Sequence, residues 1–319
     1  MVTFTGLVMA VVLGGMAVRL RKILPWKHKA WMHGVSLGIV FIGILLLLAG
    51  FGALILPDVV RDIQKLNTQI PQAIENAKDV PVIGNFFENN GEGLTSEQIK
   101  DLSSAITSGA VSVASATIAT VTGVIVIVFI ALFGAAQPKL YRDGLASLFP
   151  PSLREKAYGH MDACARALWE WLIGQGLSML LIALMVGVAL LTLGLEYAFT
   201  LALIAGIFQF VPFLGAIVAT IPALFVAMAD SPKMLLWVLI AYIIIQFIES
   251  NFVTPIIMKQ RVNLPPIITL VATVVFGLVF GLLGVIIATP LAVVILVLYH
   301  RLYQREILGV ETRAPGDPK

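Results

Sequence analysis

Hydrophobic positions along the chain come in long unbroken blocks, at residues 2–18, 34–56, 109–136, 171–195, 197–229, 234–258 and 262–299. Most reach or exceed the roughly 20 residues a helix needs to cross a hydrocarbon core, and none alternates as barrel strands do. Spanning helices satisfy their own backbone groups, so the expected fold class is an all-α, polytopic helical membrane protein. Two blocks are too long for one span, since 197–229 runs 33 residues and 262–299 runs 38 residues without a charge. Each is interrupted, by Pro212, Gly215 and Pro222 in the first and by Gly277, Gly281, Gly284 and Pro290 in the second. Interior Pro and adjacent Gly break helices, so each block is expected to form a broken-helix hairpin of two half-length arms. Leu214 to Thr220 and Leu283 to Thr289 share the pattern Leu-Gly-(Ala/Val)-Ile-(Val/Ile)-Ala-Thr, which makes the hairpins candidates for an inverted repeat whose tips meet near mid-membrane. Coincidence is the alternative in a chain so rich in small and branched residues.

Charge supplies the orientation. Arg19, Arg21, Lys22, Lys27 and Lys29 follow the first block with no acid among them, which places that loop in the cytoplasm. The expected division is then transmembrane helices over 1–56, an extracytoplasmic helical segment over 57–107 and a transmembrane helix over 108–136. A cytoplasmic amphipathic segment over 137–170, a core with both hairpins over 171–299 and a cytoplasmic tail over 300–319 complete it. Segment 57–107 carries an amphipathic pattern at Val59, Ile63, Leu66, Ile70 and Ile74 and a capping box at Thr95 and Gln98. A second capping box is expected at Ser152 and Glu155, and Gly34, Gly38 and Gly43 offer a face for close helix approach. Met1 would have to start outside, so an additional upstream helix is expected.

Composition agrees, with 59% hydrophobic and 12% charged residues and a mean hydropathy of +0.97. The net charge of +3 gives no indication of nucleic acid as a partner. Cys164 is the sole cysteine, so no intrachain disulfide or cysteine-based cluster can form. The sequence has no Gly-x-Ser-x-Gly, no His-Glu-x-x-His and no phosphate-binding Gly-x-x-x-x-Gly-Lys-(Ser/Thr), so no enzyme activity and no cofactor is expected.

Candidate binding residues come from polarity and breaks within apolar blocks. Glu249 is the one ionisable residue of 234–258, where a carboxylate is costly unless it faces a partner or a water-filled cavity. Gln246, Ser250, Asn251 and Thr254 form a polar strip with it toward a kink at Pro255, suited to carrying a proton or receiving a cation. Gln209, and backbone freed near Pro212, Gly215, Gly281 and Gly284, complete the set. The alternatives are a span that ends at Ile248, leaving Glu249 interfacial, and glutamines that serve only to bond one helix to another.

The residues also carry a resemblance. Gly174-Gln175, Val211-Pro212-Phe213-Leu214-Gly215, Ile221-Pro222-Ala223, Glu249-Ser250-Asn251 with Pro255, Val262-Asn263-Leu264-Pro265-Pro266, Phe276-Gly277, Phe280-Gly281, Gly284 and Ala288-Thr289-Pro290-Leu291 follow in order. In these the chain resembles the autoinducer-2 exporter (AI-2E) family of bacterial permeases over about residues 34–298. The resemblance adds Gln175 to the candidates and implies a multi-pass inner-membrane secondary transporter. Its substrate would be a small hydrophilic signal molecule or, by sodium/proton antiport, a monovalent cation. It further implies membrane lipid as a partner and a homo-oligomer, a pentamer being one form. Pro265 stands where family members often have histidine, which leaves a histidine role there without a residue. A passive oligomeric channel and a non-transporting membrane scaffold are the competing functions.

Overall fold

The computed structural model describes residues 1–23, 34–46, 49–50, 53, 61, 118–258 and 264–310. Most of 57–107, the Thr95–Gln98 box and Val262-Asn263 lie outside the described residues. Those described are helical with no strand among them, as a chain must be that satisfies its backbone within lipid. They form two compact units, one of residues 1–49, 119–176 and 255–319, the other of residues 50–118 and 177–254.

The first unit holds α1 (Val2–Ile23), α2 (Gly34–Leu46), α3 (Ile118–Ala136) and α4 (Pro138–Ser147). It also holds the first half of α5 (Arg154–Thr192). Ala10, Leu13, Ala17, Leu37, Ala131 and Ala135 form the core of α1 to α3. Lipid tails are as apolar as the helices, so close backbone approach at small residues supplies the packing. Gly134 lies against Ala10, Gly6 against Ile130 and Gly15 against the Trp169 ring. Over that ring sits the Arg19 guanidinium, 4.5 Å from its centroid, a cation–π contact. The expected approach at Gly34, Gly38 and Gly43 is not found, because a side chain there would meet no described atom within 4 Å. Ser36 and Leu37 are the buried positions of α2. The Ser152–Glu155 capping box is also absent. A 3-10 turn at Pro151–Leu153 leads into α5, and the Leu153 N–H bonds the Pro150 carbonyl instead.

Later in this unit, α10 (Pro266–Leu298) is interrupted at Gly281, with φ 62° and ψ −148°. The chain reverses there. Ala272, Ala288 and Ala292 share one small core, although in a continuous helix Ala272 and Ala292 would be about 30 Å apart. Gly284 packs so closely on the Phe276 carbonyl that a methyl group would overlap it. A π-helical segment, Tyr299–Ile307, follows.

In the second unit, α5 ends at a left-handed Gly194, φ 72°. The Leu195 N–H returns to the Leu190 carbonyl and the Gly194 N–H to that of Leu191, so the last carbonyls are satisfied and α6 (Ala198–Phe208) folds back along α5. Ala202 faces Gly187 and Gly206 faces Ala183. A turn of five residues leads into α7 (Leu214–Asp230). Ser231 then caps α8 (Pro232–Ile248) by accepting from the Met234 N–H at 3.1 Å, with Pro232 at the first helical position. Ile182, Val186, Leu190, Leu201, Val226 and Val238 are prominent in its core.

Both long blocks therefore reverse where Gly and Pro cluster, and the arms of the first are unequal. With 11 residues, α6 is about 16 Å long, half a bilayer core, whereas the 17 residues of α7 give about 25 Å. Pro222 and Pro290, expected to help break the helices, lie inside them. The breaks fall at Phe213, φ 65°, and at Gly281, and each is closed by the glycine two or three residues on.

Replacing either closing glycine tests this. Gly215→Ala and Gly284→Ala each force a methyl into a carbonyl and should each destabilise the protein by about 1–3 kcal/mol. Gly176→Ala, on α5 with open space around it, should be neutral or stabilising by up to about 1 kcal/mol. Thermal unfolding of the three variants in one detergent makes the comparison.

Candidate functional site

At Ile248 α8 stops being a regular α-helix. Residues Glu249–Val253 form a π-helical turn before α9 (Thr254–Met258). Pro255 accounts for the distortion: it has no N–H for the Asn251 carbonyl, and its ring would collide with that carbonyl in an unbroken helix. Widening the preceding turn relieves the collision. The Thr254 N–H now donates to the Glu249 carbonyl, an i to i+5 bond. Asn251 Nδ2 donates to the Phe247 carbonyl at 2.8 Å where the main-chain register changes.

The wider turn also moves side chains. Five residues along an α-helix is a rotation of about 140° off the starting face, whereas in a π turn the fifth residue returns close to it. Thr254 Oγ1 thereby donates to Glu249 Oε1 at 2.6 Å. The same oxygen accepts from Gln209 Nε2 at 3.3 Å. Oε2 accepts from Gln246 Nε2 at 2.9 Å and from Ser250 Oγ at 3.2 Å. A carboxylate has about four acceptor positions, and here four donors occupy them. All four are uncharged, and among the described residues no ion pair includes Glu249. Glu249 is 8% exposed and Gln209 3%.

Gln209 ties this carboxylate to the first hairpin. It is the first residue of the turn between α6 and α7, so the tip of that hairpin lies against Glu249. The tip is tightly wound. The Leu214 N–H bonds the Pro212 carbonyl at 2.8 Å across Phe213, whose φ 65° and ψ −55° make a γ-turn that side chains rarely adopt. Gly215 permits it, since any larger residue would strike the Phe208 carbonyl and the Gln209 backbone.

Of the residues singled out in the sequence, Glu249, Gln246 and Gln209 are brought together, with Pro212 and Gly215 shaping the turn beside them. Asn251 stands apart from them: its amide donates to the Phe247 carbonyl and it is exposed, two residues on from Glu249 and so roughly half a turn round the helix from it. Gln175, Gly281 and Gly284 belong to the first unit, Gln175 buried in α5, Gly281 at the break of α10 and Gly284 sealing it. Thr254 and Ser250, seen in the sequence only as part of a strip, are direct ligands of the carboxylate. Two further polar groups gave no sequence signal. Ser178 Oγ and Tyr242 Oη are buried with no hydrogen-bond partner. Gly206 of α6 faces Met179 and Ala183 of α5, so the same register brings Ser178 to the level at which α6 ends and Gln209 begins. Tyr242 precedes Gln246 by one turn on α8.

A double-mutant cycle measures the charge on the site. Pairing Thr254→Val with Glu249→Gln, we expect a coupling of about 1.5–3 kcal/mol at neutral pH, the value for a bond to an ionised group. A coupling near 0.6 kcal/mol, typical of neutral bonds between membrane helices, would mean the acid is protonated.

Fold and site together define a multi-pass helical membrane protein with a buried carboxylate in one of its spanning helices. The family model of the AI-2E family transporters matches residues 2–304. The chain belongs to the AI-2E transporter family. Three relatives carry the name "Putative transport protein". YrrI of Bacillus subtilis is 28% identical over 45% of this chain and 41% of its own. MT0215 of Mycobacterium tuberculosis is 24% identical over 75% of this chain and 67% of its own. YueF of Bacillus subtilis is 24% identical over 66% of this chain and 57% of its own. The chain thus spans less than two thirds of the length of YrrI and YueF.

Proposed function

We propose that this protein is a secondary transporter, working by alternating access and driven by an ion gradient, with Glu249 as the coupling group. The single observation that carries the reading is a buried carboxylate whose acceptor positions are all filled by uncharged donors. An ionisable group within a spanning helix is expensive, and a purely structural polar contact needs no charge. An Arg or Lys partner would lock it, whereas neutral partners leave it free to take a proton or a cation. The partners themselves can turn. An amide rotated about its last bond presents oxygen in place of NH2, and Ser and Thr hydroxyls accept as readily as they donate. Glu249, Gln209, Gln246, Ser250 and Thr254 can thus offer one charged and several neutral oxygens, a set suited to a hard monovalent cation.

The transported solute is either a small hydrophilic signal molecule of the autoinducer-2 kind or, in sodium/proton antiport, the cation itself. The setting is the bacterial inner membrane, with the C-terminus in the cytoplasm and the chain assembled as a homo-oligomer. Against a passive channel stands the placement of the polar groups, which gather around one carboxylate instead of repeating along a helix face as pore linings do.

Purified protein in proteoliposomes decides between these readings. A carrier shows counterflow of labelled substrate, sought by comparing sodium, protons and furanosyl signal molecules side by side, and a channel or scaffold shows none. Glu249→Gln, which keeps the size and adds no charge, should insert and assemble normally but lose transport or its ion dependence. A Glu249→Gln protein that transports like the parent around neutral pH would reject the coupling role while leaving the counterflow result standing.

A further inference from the structure

Helix α4 is amphipathic, and it is mounted the wrong way round for a helix in water. Its polar face is the one fixed to the protein. Arg142 Nη2 donates to Asp162 of α5 at 2.8 Å, and Asp143 accepts the Tyr158 hydroxyl of α5 at 2.9 Å. The Arg142 guanidinium also lies over the Tyr158 ring, 4.9 Å from its centroid. Ala146 on that side is fully buried. The opposite face, carrying Leu140, Tyr141, Leu145 and Leu148, is exposed, Leu148 to 78%. A surface helix that minimised its contact with water would bury that face and leave Arg142 and Asp143 outside.

Three features say what covers it. Only Gln137 separates α4 from the end of α3, whose Phe129 and Phe133 stack on each other and are exposed as lipid-facing residues of an apolar span are. Exposed apolar residues therefore occur on both helices, on either side of this one-residue link. Phe149 and Leu153, in the connection to α5, are exposed as well. Arg154, whose Nε donates to the Phe149 carbonyl at 3.3 Å, lies at the edge of the patch and is exposed, placed to reach phosphate groups.

We propose that α4 lies in the plane of the membrane, its Leu140–Leu148 face inserted at the boundary of headgroups and acyl chains in the leaflet where α3 ends, with phospholipid as the partner. The ion pair and the tyrosine bond to α5 then fix the depth of α5, which continues into the second unit. This inference is independent of what is transported.

Spin labels report the depth. Cysteines replace Leu145, Leu148 and, as a control in water, Glu155, each in a Cys164→Ser background, since Cys164 is the single cysteine. The labelled full-length protein is reconstituted in vesicles of phosphatidylcholine and phosphatidylglycerol. Labels at Leu145 and Leu148 should collide several-fold more with oxygen than with a water-soluble nickel chelate, at a depth of about 5–10 Å below the headgroups, and the ratio should invert at Glu155. Free access of the chelate to Leu145 and Leu148 would overturn the proposal. So would exclusion of both reagents together with spin–spin broadening, which would mean that a second copy covers the face.

Discussion

A chain that turns back inside an apolar layer must leave no main-chain N–H or carbonyl facing lipid, and this constraint governs the structure. Here it is met at single glycines. Gly215 and Gly284 let one arm of each hairpin come down on a carbonyl of the other, Phe208 in one case and Phe276 in the other. Both glycines occupy the same place in the repeated Leu-Gly-(Ala/Val)-Ile pattern, which makes coincidence a poor account of the pattern. The two turns differ in how they reverse. One uses a γ-turn at Phe213 and the other a left-handed Gly281, so what is repeated is the seal rather than the conformation of the break.

The Glu249 site depends on that seal. Gln209 can meet the carboxylate only because α6 stops at Phe208 and α7 returns at once across it. On the other side, Thr254 can meet it only because Pro255 forces a π turn. Two backbone irregularities, each costly alone, thus converge on one side chain. Local strain of this kind persists where surrounding packing holds it, and it gathers at sites that work by changing partners.

What was legible in the sequence follows from which physical rule each residue obeys. Block length together with Gly and Pro located both reversals, because no single helix of 33 or 38 apolar residues fits a bilayer of ordinary thickness. The i, i+3 spacing put Gln246 beside Glu249 correctly. Thr254 was only partly read, because its place beside Glu249 depends on a change of helical period that a 3.6-residue template does not contain, whereas Asn251, two residues on from Glu249, falls on the far face at either period. Gly34, Gly38 and Gly43 have no described neighbour against them, since small residues state where a neighbour could approach, not that one does. Pro222 stayed within α7 because a transmembrane helix tolerates an interior proline, and the reversal falls instead at Phe213. Ser178 gave no signal, since a serine in an apolar block is ordinary and only the register of α5 on α6 distinguishes it.

The choice of partners around Glu249 bears on how such a site can switch. A guanidinium would stabilise the carboxylate in one state and leave two unpaired charges, or one buried cation, in the other, a difference of several kcal/mol that a modest ion gradient could not reverse. Amides and hydroxyls carry no such asymmetry. When the carboxylate is ionised they donate to it, and when a proton or cation neutralises it they can turn and accept, so that the bonds around the site are exchanged and few are lost. The tilt between the two states then stays within the few kcal/mol that differential binding of an ion can overcome. In the coupling proposed for Glu249, a tip turn that begins with a rotatable amide, Gln209, would carry that exchange directly from the carboxylate to the hairpin.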